Sequence, residues 1–170
     1  MTSIFTVKCA TKQDIPILRM MAEDIGKPFE IDYFENCLEL QNKGERDVLI
    51  AYSGEAPVGY AMLSWSPKYA PFKRLGIPEI QDLNVLRAQR RQGFATQIIE
   101  WCEDKARKKG KDMMGIGFGL HSSYGPAQRL YVRLGYVPDG EGANYDRKQI
   151  AFGDFKPVDD DLCLMLIKDL

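Results

Sequence analysis

The sequence holds one histidine, His121, and four cysteines, Cys9, Cys37, Cys102 and Cys163, of which no two form a CxxC pair. A Cys/His zinc framework needs clustered ligands at short spacing, and a disulfide scaffold needs a much denser cysteine content, so both are excluded. No metal is expected, and the thiols read as reduced and largely packed. An excess of either charge is also missing: 23 Lys and Arg stand against 24 Asp and Glu, a formal charge of −1. Such a balance gives no global attraction to a nucleic-acid backbone or an anionic bilayer. No run approaches the roughly 20 apolar residues that span a membrane. The start, Met1-Thr2-Ser3-Ile4-Phe5-Thr6, lacks the basic-then-apolar order of a secretory leader. These absences predict a cytoplasmic protein without a membrane or nucleic-acid partner. What remains, 170 residues that are 45% hydrophobic and 28% charged, predicts one globular domain over residues 1–170.

Hydrophobic periodicity predicts mixed α/β structure. Ile4 to Lys8 alternates as a short strand, and Thr11 with Asp14 resembles a capping box opening a helix with Ile15, Leu18, Ala22 and Ile25 on one face. Gly26 ends it. Asp32 and Glu35 repeat the start signal for a second helix with Ile31, Phe34 and Leu38 as its stripe. Val48–Tyr52 and Val58–Leu63 flank a turn-rich connector and predict a hairpin. Ser66–Pro78, with three prolines, reads as an irregular loop that exposes Tyr69 and Phe72, either a simple crossing or a substrate lid. Glu79–Leu86 can form the next strand. The clearest amphipathic helix follows, with Ala95, Ile98, Ile99, Cys102 and Ala106 on one face and Gln97, Glu100, Glu103, Lys105 and Arg107 on the other. Met113–Leu120 is a strand with Gly115, Gly117 and Gly119 sharing one face. Gly125-Pro126 opens another helix that stops at Gly135, Tyr136-Val137 resumes a strand, a polar Gly-rich passage covers Asp139–Gly142, and Leu162–Ile167 is a last buried strand.

The segment Val85-Leu86-Arg87-Ala88-Gln89-Arg90-Arg91-Gln92-Gly93-Phe94-Ala95-Thr96 places a strand, a basic loop and an amphipathic helix in succession. Unpaired main-chain N–H groups at such a helix start, reinforced by the helix dipole and neighbouring Arg charges, can cradle a phosphate or pyrophosphate. Gly93 lets a ligand approach the backbone, and Ala95 keeps the first turn small. A solvated basic loop is the competing reading of the same residues. A P-loop is absent, and Gly115-Ile116-Gly117-Phe118-Gly119 neither has dinucleotide-binding spacing nor opens a helix.

Arg90-Arg91-Gln92-Gly93-Phe94-Ala95 resembles the Arg/Gln-x-x-Gly-x-Gly/Ala loop of the GCN5-related N-acetyltransferase (GNAT) superfamily. Downstream, Ala127-Gln128-Arg129-Leu130-Tyr131-Val132-Arg133-Leu134-Gly135-Tyr136 is similar to that family's helix ending in LY-x-x-x-GF or LY-x-x-x-GY. The order of elements matches too. The resemblance implies a mixed, mostly antiparallel sheet flanked by helices, with a splayed parallel strand pair. It implies acetyl-CoA as cosubstrate, with its pyrophosphate on Arg90, Arg91, Gln92, Gly93, Phe94, Ala95 and Thr96, and its pantetheine arm on main-chain groups of Leu83 and Val85. Many members have an Asn where this chain has Tyr124, so that pantetheine contact is either missing or supplied by Ser123, with Tyr124 kept as a candidate cofactor-binding residue.

The implied reaction is direct attack of a primary amine, on a small molecule or a peptide, upon the thioester. A base must take the ammonium proton and an acid must meet the leaving thiolate. Glu79 is the first candidate base and Asp82 the second, the alternative being two surface carboxylates at a strand edge. Tyr131 occupies the family's general-acid position, although its place on an apolar stripe also suits a core aromatic. The Val85 N–H is a candidate for holding the acetyl oxygen. His121, Arg129 and Arg133 are open between ligand contact and incidental surface roles. Cys102 falls on a buried helical phase and is not a nucleophile. A noncatalytic acyl-CoA-binding module of the same fold is the alternative function, and a nucleic-acid site on the basic run Arg107–Lys111 a remoter one. A homodimer is compatible with the sequence, which leaves the acceptor amine unspecified.

Overall fold

The computed structural model describes residues 3–170; Met1 and Thr2, at the head of the stretch read for a leader, lie outside the described residues. Its strands are β1 (Phe5–Cys9), β2 (Arg46–Ser53), β3 (Ala56–Ser64), β4 (Glu79–Val85), β5 (Met113–Gly119), β6 (Val137–Tyr145), β7 (Lys148–Gln149) and β8 (Leu162–Asp169). They follow the order β1-β2-β3-β4-β5-β8-β6-β7. The sheet is mostly antiparallel, with β4 and β5 its parallel pair. The helices are α1 (Ile15–Ile25), α2 (Tyr33–Asn42), α3 (Ala70–Leu75), α4 (Phe94–Lys108) and α5 (Gly125–Arg133). The chain divides into two compact units, Met1–Trp65 with Ile80–Asp104, and Ser66–Glu79 with Lys105–Leu170.

In the first unit the capping box forms as its residue types require. The Asp14 carboxylate accepts from the Thr11 N–H at 2.7 Å and from its hydroxyl at 2.9 Å, which starts the turn into α1. Gly26, at φ 74°, ends α1 by donating to the Ala22 and Glu23 carbonyls. Leu18, Met21 and Ala22 of α1 and Phe34, Cys37 and Leu38 of α2 bury against Val48, Ile50, Tyr60 and Met62 of the β2–β3 hairpin. Each large apolar side chain so buried contributes about 1.5–3 kcal/mol. Ile31 does not join this stripe: α2 starts at Tyr33, leaving Ile31 85% exposed in the preceding turn.

α4 buries Ile98, Ile99, Cys102 and Ala106 as its periodicity requires, but Glu103, expected on the polar face, is buried as well. It stands one helical turn beyond Ile99 and so belongs to the edge of the apolar face.

In the second unit the segment expected to be irregular folds into α3, and Tyr69 and Phe72 are buried. Pro71 pre-sets the first turn and left-handed Gly76 ends it. The two rings then meet edge to face at 4.9 Å, in a small core with Ile77 and Met165. Gly115, Gly117 and Gly119 make room for neighbours: an added Cβ would lie 2.2 Å from the Phe72 ring, 2.6 Å from the Met165 sulfur and 2.5 Å from the Tyr124 ring, respectively. The polar passage Asp139–Gly142 lies within β6, which pairs with β8 through Val137↔Ile167 and Ala143↔Leu164 across an irregularity between Pro138 and Ala143. Polar composition hid this strand because its glycines and its bulge suppress alternation.

Candidate active site

β4 carries both candidate carboxylates, and neither lies on the surface. Glu79 is fully buried, and its Oε1 accepts from Arg147 Nη1. Arg147 reaches it from the tight turn between β6 and β7, where Asp146 and Arg147 have φ of 47° and 63°. Two-residue hairpin turns of this hand normally carry Asn and Gly. An arginine in that place was invisible to sequence reasoning as a site residue, and only its cost in backbone strain marks it out.

Asp82 is set differently. Its φ of 49° breaks the regular run of β4, a conformation that Asp tolerates better than most residues. Asn84 Nδ2 donates to the Asp82 carbonyl at 3.0 Å and to its carboxylate at 2.8 Å, fixing the irregularity. Gly59 of β3 permits it: a Cβ there would stand 2.4 Å from the Asn84 carbonyl oxygen. The carboxylate also accepts from the Tyr33 hydroxyl at 2.9 Å and from the Lys27 ammonium. It faces a cavity of about 360 Å³ lined by Lys27, Pro28, Phe29, Glu30, Tyr33, Tyr60 and Asp82. Burial, and then the Asp82 charge, push the Tyr33 and Tyr60 hydroxyls above their ordinary range. Both therefore stay protonated, and the Tyr33 hydroxyl donates to Asp82.

Beyond β4, Arg91 (φ 62°) and Gly93 (φ 85°) adopt left-handed backbone either side of Gln92, directly before α4. Alternation of this kind, ahead of a helix whose first N–H groups lack intrahelical partners, is what an anion-binding loop requires. Nothing lies within 4 Å of a Cβ built on Gly93, so there is space for a ligand to approach the main chain. Arg90, Arg91, Gln92 and Gly93 are exposed, while Phe94, Ala95 and Thr96 are half-buried. The Phe94 ring stacks on Phe5 at 6.0 Å, anchoring the helix start. Arg90 Nε donates to the Val85 carbonyl at 3.3 Å, and Leu83 and Val85 are half-buried.

Tyr131 of α5 is buried, with the Phe118 and Tyr136 rings each 6.4 Å away. Burial raises its hydroxyl to about 12. Tyr124 lies with its ring over Gly119 and donates to Asp160 at 2.8 Å. His121 caps the short turn Ser122–Tyr124, its Nδ1 accepting from the Ser123 N–H at 3.3 Å. Arg129 and Arg133 are exposed. Among the described residues no His, Cys, Asp and Glu side chains group as metal ligands, and no helix is long and apolar enough to cross a membrane.

The chain is thus an α/β protein whose mostly antiparallel sheet carries one parallel pair and whose basic left-handed loop heads an amphipathic helix. The Acetyltransferase (GNAT) family matches over residues 16–136, and the chain belongs to that family. It is 35% identical over 60 residues to an aminoalkylphosphonate N-acetyltransferase of Salmonella typhimurium, a match spanning 35% of this chain and 38% of that protein. Its fold is similar to that of ribosomal-protein-alanine N-acetyltransferase from Brucella melitensis (TM-score 0.70, 19% identity, 97% of this chain and 99% of that one). It is also similar to a Bacillus subtilis acetyltransferase in complex with CoA (TM-score 0.66, 16% identity, 98% and 99%).

Proposed function

We propose that this chain, acting as one N-acetyltransferase domain, transfers an acetyl group from acetyl-CoA to a primary amine by direct attack in a ternary complex. The observation that carries this reading is the left-handed pair Arg91 and Gly93 at the head of α4, with open space over Gly93. The pyrophosphate rests on main-chain groups from Arg90 to Thr96, with Leu83 and Val85 offering theirs to the pantetheine arm and Tyr124 a side contact. Family membership and the CoA complex of the Bacillus subtilis neighbour support this assignment.

In the reaction the amine nitrogen bonds to the acetyl carbon, the carbon–sulfur bond breaks, and the amine's surplus proton passes to a base while the thiolate takes one from an acid. Tyr131, protonated at all physiological pH values, is the acid. Glu79 has the favoured family position, but its buried carboxylate is already engaged by Arg147. Asp82 faces a cavity with room for an amine and takes the role of base, leaving Glu79 to hold Arg147. The acceptor is a small-molecule or peptide amine, and the protein works in the cytoplasm without nucleic acid.

The test is a thiol-release assay with acetyl-CoA against a panel of amines, on the parent chain and on Asp82→Asn, Glu79→Gln and Tyr131→Phe. Turnover lost in Asp82→Asn and Tyr131→Phe supports the reading. Coenzyme A binding without turnover on any amine identifies a noncatalytic acyl-CoA-binding module, and absence of coenzyme binding overturns the assignment.

A further inference from the structure

The cavity beside Asp82 already contains a cation. The Lys27 ammonium meets the Asp82 carboxylate there, and the Lys27 side chain is 43% exposed whereas that of Asp82 is 9% exposed. The anion is therefore fixed in the wall and its partner comes in from solvent on a flexible stem. The Asp82 carboxylate is held in place without Lys27, by Asn84 at 2.8 Å and Tyr33 at 2.9 Å. Around it the wall is aromatic and apolar. Phe29, Tyr33 and Tyr60 all pack on the buried Phe34 ring, at 5.4, 5.1 and 5.8 Å, so three of the lining rings are held by one core residue. With Pro28 they form a largely apolar wall beside the Asp82 carboxylate, while the second lining carboxylate, Glu30, is exposed to solvent.

We infer that this cavity is the seat of the acceptor, that it selects a primary amine carrying one positive charge and an aromatic or similarly compact apolar body, and that Lys27 is the intramolecular placeholder the substrate displaces. This deepens the acetyltransferase reading and rests on it. The ammonium of the substrate takes the place of the Lys27 ammonium against Asp82 and the Tyr33 hydroxyl, and its apolar body lies against Phe29, Pro28 and the tyrosine rings. Attraction of a cation to aromatic faces reinforces the carboxylate. About 360 Å³ suits a small ligand. Against a polyamine stands the charge balance at the mouth, where the displaced Lys27 ammonium offsets the exposed Glu30 carboxylate and leaves no net attraction for a second positive charge.

The experiment is calorimetry on the full chain at neutral pH, without and with saturating coenzyme A, using three probes. These are 2-phenylethylamine, its uncharged isostere 2-phenylethanol, and the polycation spermidine. The amine is expected to bind at least tenfold more tightly than the alcohol and than spermidine. Asp82→Asn should weaken amine binding at least tenfold and leave the alcohol unchanged, and Lys27→Met should strengthen amine binding several-fold. Lys27 is exposed, so that second variant folds even if changes at Asp82 disturb β4. Equal binding of amine and alcohol, preference for spermidine, no gain in Lys27→Met, or no heat with the amine while coenzyme A binds would each overturn the inference and leave the transferase reading standing. Amine binding without any coenzyme A binding would do the reverse.

Discussion

Glu79 and Asp82 stand three residues apart on one strand, and the molecule treats them in opposite ways. In a regular strand, residues at that spacing project to opposite faces. Glu79 is sealed in with the guanidinium of Arg147, its side chain 1% exposed against 33% for the arginine. Asp82, in left-handed backbone, is turned toward a cavity and held by a hydroxyl, an amide and a partly exposed ammonium. A carboxylate closed around a fixed partner holds structure together; one that shares its cavity with a replaceable partner is available for a ligand. Chemistry alone does not separate the two roles, because both are acids on the same strand.

The largest effect expected from this contrast is on stability. Arg147→Met strands the buried Glu79 carboxylate without its guanidinium and should cost about 3 kcal/mol, the low end for a broken buried pair because Arg147 is partly exposed. Urea unfolding measures it, and a loss below about 1 kcal/mol would show that Glu79 is served by its other neighbours and that the contrast with Asp82 is weaker than its geometry implies. The counterpart is Asp82→Asn. Asparagine tolerates the left-handed conformation, so stability should move by less than about 1 kcal/mol, whereas removing a general base should lower kcat by roughly 100-fold. Steady-state rates decide whether Asp82 is the base, as proposed, and the reverse pattern, a rate loss confined to Glu79→Gln, would exchange the two roles.

How far the sequence disclosed this arrangement varies along the chain. The Thr11–Asp14 box, the hairpin of β2 and β3, the apolar face of α4 and the Pro126 and Gly135 signals around α5 are all local, written in residues within one turn of one another, and they appear where expected. The basic loop was legible for the same reason, since Gly93 and its flanking arginines are contiguous. Arg147 was not legible. It sits 68 residues from Glu79, at a turn position where glycine is usual, and no periodicity links the two. The cavity escaped for a related reason: Lys27, Phe29 and Tyr33 lie in and around a polar-looking linker between helices, and only the fold brings them to Asp82. α3 was masked by its prolines, which read as breakers although Pro71 lies in the first turn, where proline is tolerated.

A sharper version of the contrast uses the tyrosines. Tyr131 is raised to about 12 by burial alone, whereas Tyr33 is raised by burial and then by Asp82. Tyr131 keeps its proton between pH 10 and 12, where the unfolded chain releases it. Its contribution to stability is full below pH 10 and is lost as pH climbs through 12, by about 2–3 kcal/mol. Tyr131→Phe should flatten that part of the alkaline unfolding curve by about this amount. Asp82→Asn should instead bring forward the ionisation of Tyr33, followed by tyrosinate absorbance, and leave Tyr131 untouched. If both variants shift the same transition, the two tyrosines do not report separate environments.

The smallest effect belongs to the loop that follows β4. Gly93 has φ 85° with no atom near its missing Cβ, so Gly93→Ala meets a conformational penalty and no clash, about 1 kcal/mol. A change of that size corresponds to roughly a fivefold loss of affinity if the loop must keep its left-handed turn to hold the coenzyme. It should therefore appear as a fivefold rise in KM for acetyl-CoA with kcat nearly unchanged. Combined with Asp82→Asn, the two deficits should add as free energies, because in the proposed mechanism one variant acts on the donor's phosphates and the other on the acceptor's proton. Strong non-additivity in the double variant would mean that the loop and the Asp82 cavity work as one coupled device, and the division of labour along β4 would have to include the loop as well as the two carboxylates.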